Sequence, residues 1–153
     1  MLNSLKNLFD DEIGGAVYLK ETAKLSRITG TADYMSKEMI EGSYGFPADL
    51  FAVGKLTYNL LRRKIKKGRS PFKIMHNVAL EKPFRMPMHC SEESISFMNR
   101  LLCHDPNRRA TCKEALSHPF LQQASNESST TIAALLKTLM LPVVLDRTFS
   151  SYF

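Results

Sequence analysis

The sequence predicts a mainly helical domain, and three stretches carry that prediction. Asp49 to Leu61 sets Leu50, Phe51, Val53, Leu56, Tyr58, Leu60 and Leu61 around nearly the whole circumference of a helix, interrupted only by Lys55, Thr57 and Asn59. A helix that is apolar on all sides belongs inside a core. Ser91-Glu92-Glu93 marks a helix start, a hydroxyl cap followed by acids in the first turn. Ile95, Met98, Leu101 and Leu102 then give that helix one apolar stripe. Thr111 and Glu114 stand at capping-box spacing, where hydroxyl and carboxylate satisfy otherwise unpaired amides. No convincing strand alternation competes with these signals.

Taken in order, the chain begins with its least legible part, residues 1–28, an irregular start. Asp10-Asp11-Glu12 and Gly14-Gly15 suggest a turn, Ala16-Val17-Tyr18-Leu19 a short strand, and Lys20 to Arg27 a polar loop. Gly30 to Ile40 leads through Gly42, Gly45 and Pro47 into the buried helix, expected over about residues 49–63. An acid at its start and Arg62, Arg63 and Lys64 at its end suit the helix dipole. After the basic run Arg62 to Arg69, Pro71 fits a helix start, and Lys73 to Leu80 reads as a short helix with Ile74, Val78 and Met75 inward. Two prolines make Lys82 to Pro87 extended or turning. Asp105-Pro106-Asn107 ends the helix that Ser91 opens. The last helix turns Ala115 and Leu116 inward and closes at His118-Pro119-Phe120. That makes four helices between residues 49 and 121. Residues 122–131 read as a linker rich in Ser, Thr, Asn and Glu, and residues 132–153 as a short apolar tail broken by Pro142.

The 153 residues suffice for one domain with a real core. The net charge of +6 favours acidic partners or solubility, but much of it sits in the run Arg62 to Arg69. That run could be a nuclear address or a phosphate-binding patch. The simpler reading, a solvated helix end, is adopted, and with no interleaved aromatic residues the run gives no clear nucleic-acid signal. Cys90, Cys103 and Cys112 form no Cys-x-x-Cys pair, and the N-terminus is too polar for a signal peptide. Reduced thiols and a cytoplasmic or nuclear location are therefore expected. No stretch of about 18 apolar residues marks a membrane span. The His and Cys residues show no metal-ligand spacing, so no metal site is expected. Asn126-Glu127-Ser128 fits a glycosylation sequon and, without a secretory route, reads as chance.

Five motifs in order, over about residues 29–121, resemble the C-terminal lobe of a eukaryotic Ser/Thr protein kinase. Gly30-Thr31-x-x-Tyr34-Met35-x-x-Glu38 looks like the end of the activation segment. Asp49-x-Phe51-Ala52-Val53-Gly54 is similar to the Asp-x-Trp-Ser-x-Gly start of the family's central helix, and Gly68-Arg69-Ser70-Pro71-Phe72 to the Gly-x-x-Pro-Phe after it. Leu101-Leu102-Cys103-His104-Asp105-Pro106-x-x-Arg109-x-Thr111 and Leu116-x-His118-Pro119-Phe120 resemble the end of the domain. The Tyr34 neighbourhood and Phe84-Arg85-Met86-Pro87 suggest the Polo-like and calmodulin-dependent branches.

The resemblance implies roles for particular residues. Gly30, Thr31, Tyr34 and Glu38 would belong to the substrate-docking and activation segment, with Thr31 pointing to Ser/Thr specificity. Glu38 would pair with Arg109 in a buried bridge, and Asp49 would bond backbone amides of the catalytic loop. The implied partners are a protein substrate or regulatory protein, and the implied cofactors of a complete domain are ATP and magnesium.

The departures bear on activity. Phosphoryl transfer in this family uses a Gly-rich loop, a strand Lys, a catalytic-loop Asp and Asn, and an Asp-Phe-Gly Asp. The chain contains no Gly-x-Gly-x-x-Gly, no His-Arg-Asp and no Asp-Phe-Gly. Asp10 or Asp11 falls near the place of the magnesium Asp, in a degraded match that reads more simply as an acidic turn. Ser36-Lys37 replaces Ala-Pro, and Lys55 stands where the central helix usually has an apolar residue. The expectation is a kinase C-terminal lobe without the N-terminal lobe, with no catalytic residue and no nucleotide or metal ligand of its own. Its upper face would expose apolar surface for a partner to cover. The alternative is a non-catalytic interaction or scaffold module.

Overall fold

The computed structural model describes residues 23–62 and 70–123. Among them a 3-10 turn, Ala32–Tyr34, precedes six helices: α1 (Lys37–Ile40), α2 (Pro47–Leu61), α3 (Pro71–Ala79), α4 (Glu92–Leu101), α5 (Cys112–Leu116) and α6 (Pro119–Gln123). The only β pairing among the described residues is an isolated antiparallel bridge between Leu25 and Tyr44. The turn near Asp10, the strand at 16–19, most of the basic run, the linker beyond Gln123 and the apolar tail lie outside the described residues.

Helix α2 starts at Pro47, two residues before the expected Asp49, because proline has no N–H to leave unpaired in the first turn. Its helical residues run to Leu61, with the Arg62 amide bonded to the Tyr58 carbonyl, and the expected end at residue 63 lies outside the described residues. Its side chains feed two clusters. Leu50, with Val53 and Leu56 against it, joins Phe97, Leu101, Ala110, Cys112, Ala115 and Leu121. Phe51 and Tyr58 join Val78, Met98 and Leu102, backed by Phe84 and Met86. The helix is not uniformly apolar in what it buries. Leu60 is 43% exposed, whereas Lys55 and Thr57 are buried. Thr57 is satisfied locally, donating its hydroxyl to the Val53 carbonyl at 2.8 Å.

Gly54 sets the approach of α2 to α4. A Cβ there would lie 2.8 Å from Leu101 Cβ and 3.1 Å from Leu102 Cδ2. Leu101 Cβ is fixed to its own helix, so Gly54→Ala must push the two helices apart. Overpacking of this kind costs about 1–3 kcal/mol, more than the roughly 1 kcal/mol that alanine gains in helix propensity. A lower urea midpoint for Gly54→Ala is expected.

The later elements are locally determined. Ser91 Oγ accepts from the Ser94 amide at the start of α4. Thr111 and Glu114 form the reciprocal capping box of α5, with Thr111 N bonded to Glu114 Oε2 at 2.7 Å. The stripe of α4 buries Met98, Leu101 and Leu102, leaves Ile95 half-buried and adds Phe97. The helix that Thr111 opens ends at Leu116, just before His118-Pro119-Phe120, but it is not the last. His118 Nδ1 accepts the Phe120 amide at 3.3 Å and so starts α6, which delivers the fully buried Leu121 to the core. Helix α3 ends with Glu81 in the left-handed region (φ 52°). There the Glu81 and Lys82 amides bond the Val78 and Asn77 carbonyls, the pairing of a Schellman motif.

Candidate functional site

The site is built around Arg109, on the loop between α4 and α5, and the segment from Gly30 to Glu38. All five guanidinium N–H groups find acceptors. Nε donates to the Cys103 carbonyl at 2.9 Å. Nη1 donates to Glu38 Oε1 at 2.6 Å and to the Pro47 carbonyl. Nη2 donates to Glu38 Oε2 at 3.1 Å and to the His104 carbonyl at 3.4 Å. The guanidinium also lies 5.2 Å from the centre of the Phe51 ring. One side chain thus ties together α1, the start of α2 and the loop after α4. Both partners are buried. Burial alone would raise the pKa of Glu38, but the hydrogen bonds and charge of Arg109 outweigh it and hold the carboxyl below its ordinary range.

The preceding residues lie on the surface side of this anchor. Gly30 takes φ +103°, a conformation that favours glycine. Thr31 is exposed, and its carbonyl accepts the Tyr34 amide at 3.0 Å. Tyr34 is 36% exposed. Gly30, Thr31, Tyr34 and Glu38 therefore form one continuous segment pinned at its far end. Asp49 stands apart from it. It is exposed, and among the described residues no hydrogen bond to its carboxylate is formed. Desolvation by the surrounding chain still raises its pKa.

Three features escaped the sequence reading. Lys55 is buried and ion-paired with Asp33, Nζ to Oδ1 at 3.2 Å. Asn59 Nδ2 donates to Asp33 Oδ2 at 2.7 Å. His104 stacks on Phe84, with ring centroids 5.8 Å apart, and neither of its ring nitrogens meets a hydrogen-bond partner. Among the described residues no three of His, Cys, Asp and Glu come together to hold a metal ion, and Asp10 and Asp11 lie outside them. No helix among the described residues is long and apolar enough to cross a membrane.

Burial pushes the imidazoles of His104 and His118 below their ordinary pKa of 6.5. As pH falls below about 6.5, the unfolded chain takes up protons on these residues before the folded chain does, so stability falls. The depressed carboxylates of Glu38 and Glu114 add a further loss only below their ordinary 4.5. A urea midpoint that drops between pH 7.5 and 5.5 is expected, with a smaller drop for His104→Phe. A pH-independent midpoint in that window would contradict the assignment.

A family model for the protein kinase domain matches residues 11–121. The chain is 36% identical over 112 residues to the "Serine/threonine-protein kinase PLK4" of Drosophila yakuba, covering 69% of this chain and 14% of that protein. It is 37% identical over 106 residues to the protein of that name from Drosophila persimilis, covering 65% and 13%. It is 36% identical over 100 residues to "Aurora kinase" of Candida albicans, covering 61% and 18%. The chain thus spans less than a fifth of the length of these relatives. With the motifs in order and matched across residues 11–121, the chain belongs to the eukaryotic Ser/Thr protein kinase domain family, near its Polo-like branch.

Proposed function

We propose that this chain is the substrate-docking part of a Ser/Thr protein kinase domain and that, by itself, it does not transfer phosphate. The observation that carries the reading is the Glu38–Arg109 bridge, which holds the Gly30–Glu38 segment against the helical core while Thr31 and Tyr34 stay at the surface. A segment anchored through Glu38, with Thr31 and Tyr34 at its surface, suits a protein substrate or a regulatory protein. In the complete family domain the reaction moves the ATP γ-phosphoryl to a Ser or Thr hydroxyl, and positioned loops and magnesium supply most of the catalysis. The 153 residues carry no Gly-rich loop, His-Arg-Asp or Asp-Phe-Gly for that work. Under this proposal the Asp49 carboxylate, with no donor among the described residues, bonds a catalytic loop supplied by further chain.

A calorimetric titration of the purified chain with ATP and magnesium tests the proposal. No heat of binding is expected up to millimolar nucleotide, and micromolar affinity would defeat it.

A second reading, a non-catalytic interaction module, draws on the outer face of α3. Phe72 is 79% exposed and stacks on His76, and Leu80 continues that face at 55% exposure. Changing Phe72 and Leu80 to Ser would abolish partner binding under this reading. Under the first reading it would leave peptide docking near Tyr34 unchanged.

A further inference from the structure

Lysine is rarely buried unless its ammonium is paired, and Lys55 lies at the meeting point of three segments. Its Nζ is 3.2 Å from Asp33 Oδ1 in the 3-10 turn. It also sits 5.5 Å from the Tyr58 ring centre and 5.3 Å from that of Phe84, within cation–π range. Tyr58 in turn donates its hydroxyl to the Arg85 carbonyl at 3.0 Å. Asn59, one helical turn after Lys55, donates to the other oxygen of Asp33. Both oxygens of Asp33 are therefore engaged from α2, although its side chain keeps a third of its surface open. Of the other two carboxylates between residues 30 and 41, Glu38 is paired with Arg109, and Glu41 lies exposed 3.8 Å from Lys37, whose ammonium bonds Glu81.

We propose that Lys55 is a positioning residue for the 31–35 turn, and that by engaging Asp33 it removes the turn's carboxylate as an anchor for a cationic ligand. Among the described residues, the surface beside Tyr34 then offers a phenol and main-chain groups, with the Asp33 carboxylate already engaged. A docked peptide is held there by apolar and main-chain contacts, and a lysine or arginine in it gains nothing from Asp33. The positioning half stands without the docking reading. The ligand half rests on it.

Hydrogen exchange on the whole chain, with tetralysine as a probe peptide, tests both halves. In Lys55→Met, exchange across residues 31–35 should rise at least tenfold while residues 97–102 stay within threefold of the parent. Adding Asp33→Asn should reverse part of that rise, because it removes the carboxylate that Lys55→Met leaves without its cation. Tetralysine should bind Lys55→Met at least fivefold more tightly than the parent, and the gain should vanish in the double variant. Should Lys55→Met not fold, Asp33→Asn alone must still speed exchange in 31–35 selectively. Exchange that is unchanged in 31–35, or raised equally everywhere, overturns the positioning role. Equal tetralysine affinity of parent and Lys55→Met overturns the charge role. Neither readout requires phosphoryl transfer or a natural substrate, so failure of the docking reading would show separately, as intact exchange behaviour with no peptide bound near Tyr34.

Discussion

Arg109→Ala is expected to weaken the folded state by about 3–5 kcal/mol, the usual cost of removing one partner from a buried ion pair. The reason lies in what remains. Glu38 would stay buried with its carboxylate uncompensated, and the carbonyls of Cys103, His104 and Pro47 would each lose a donor. Domains are stable by only about 5–15 kcal/mol, so the variant should be partly unfolded at 37 °C. Urea denaturation followed by circular dichroism measures this. Because Glu38 could then protonate within the fold, the deficit relative to the parent should shrink at pH 4.5. Arg109→Lys should recover little, since one ammonium cannot supply a planar fork of five donors to five separate acceptors.

Phe97→Ala comes next in size, at about 3–5 kcal/mol for a fully buried aromatic side chain. Phe97 is 1% exposed, and its ring lies 5.4 Å from that of His118 and 5.2 Å from that of Phe120. It therefore joins α4 to α6 as well as filling the first cluster. The loss should appear in the urea midpoint. Exchange should also rise selectively in residues 119–123, because α6 would lose a principal contact. A fall in midpoint with α6 still protected would mean that Phe97 serves volume alone.

Phe97 also shows where the sequence was legible and where it was not. The start of α4 could be read at Ser91, since a cap and its acids are neighbours in the chain. The capping box of α5 was legible for the same reason. Phe97 fell outside the stripe drawn through Ile95, Met98 and Leu101, because helix periodicity alone cannot say how wide the buried face is. That width depends on α6, and α6 itself was hidden by the habit of ending helices before proline. Here Pro119 starts a helix, with the His118 ring accepting the Phe120 amide in place of a hydroxyl cap.

The site divides along the same line. Glu38 and Arg109 are 71 positions apart, and no local rule joins them. Only the order of the motifs around them joins them in the sequence. Lys55 could be flagged as out of place in an apolar helix, but its burial depends on Asp33, 22 residues away. The Leu25–Tyr44 bridge left no trace because one residue pair has no periodicity. The role implied for Asp49 is toward a catalytic loop that the described residues do not contain, and its carboxylate meets no donor among them.

The claim on which the account rests is that Glu38 and Arg109 act as one unit, anchoring the Gly30–Glu38 segment to the helical core. A double-mutant cycle of Glu38→Ala and Arg109→Ala, read by urea denaturation at pH 7.5, tests it most directly. The account predicts a coupling of at least about 2 kcal/mol, with the double variant much less destabilised than the sum of the single ones. Additivity within about 0.5 kcal/mol would contradict it.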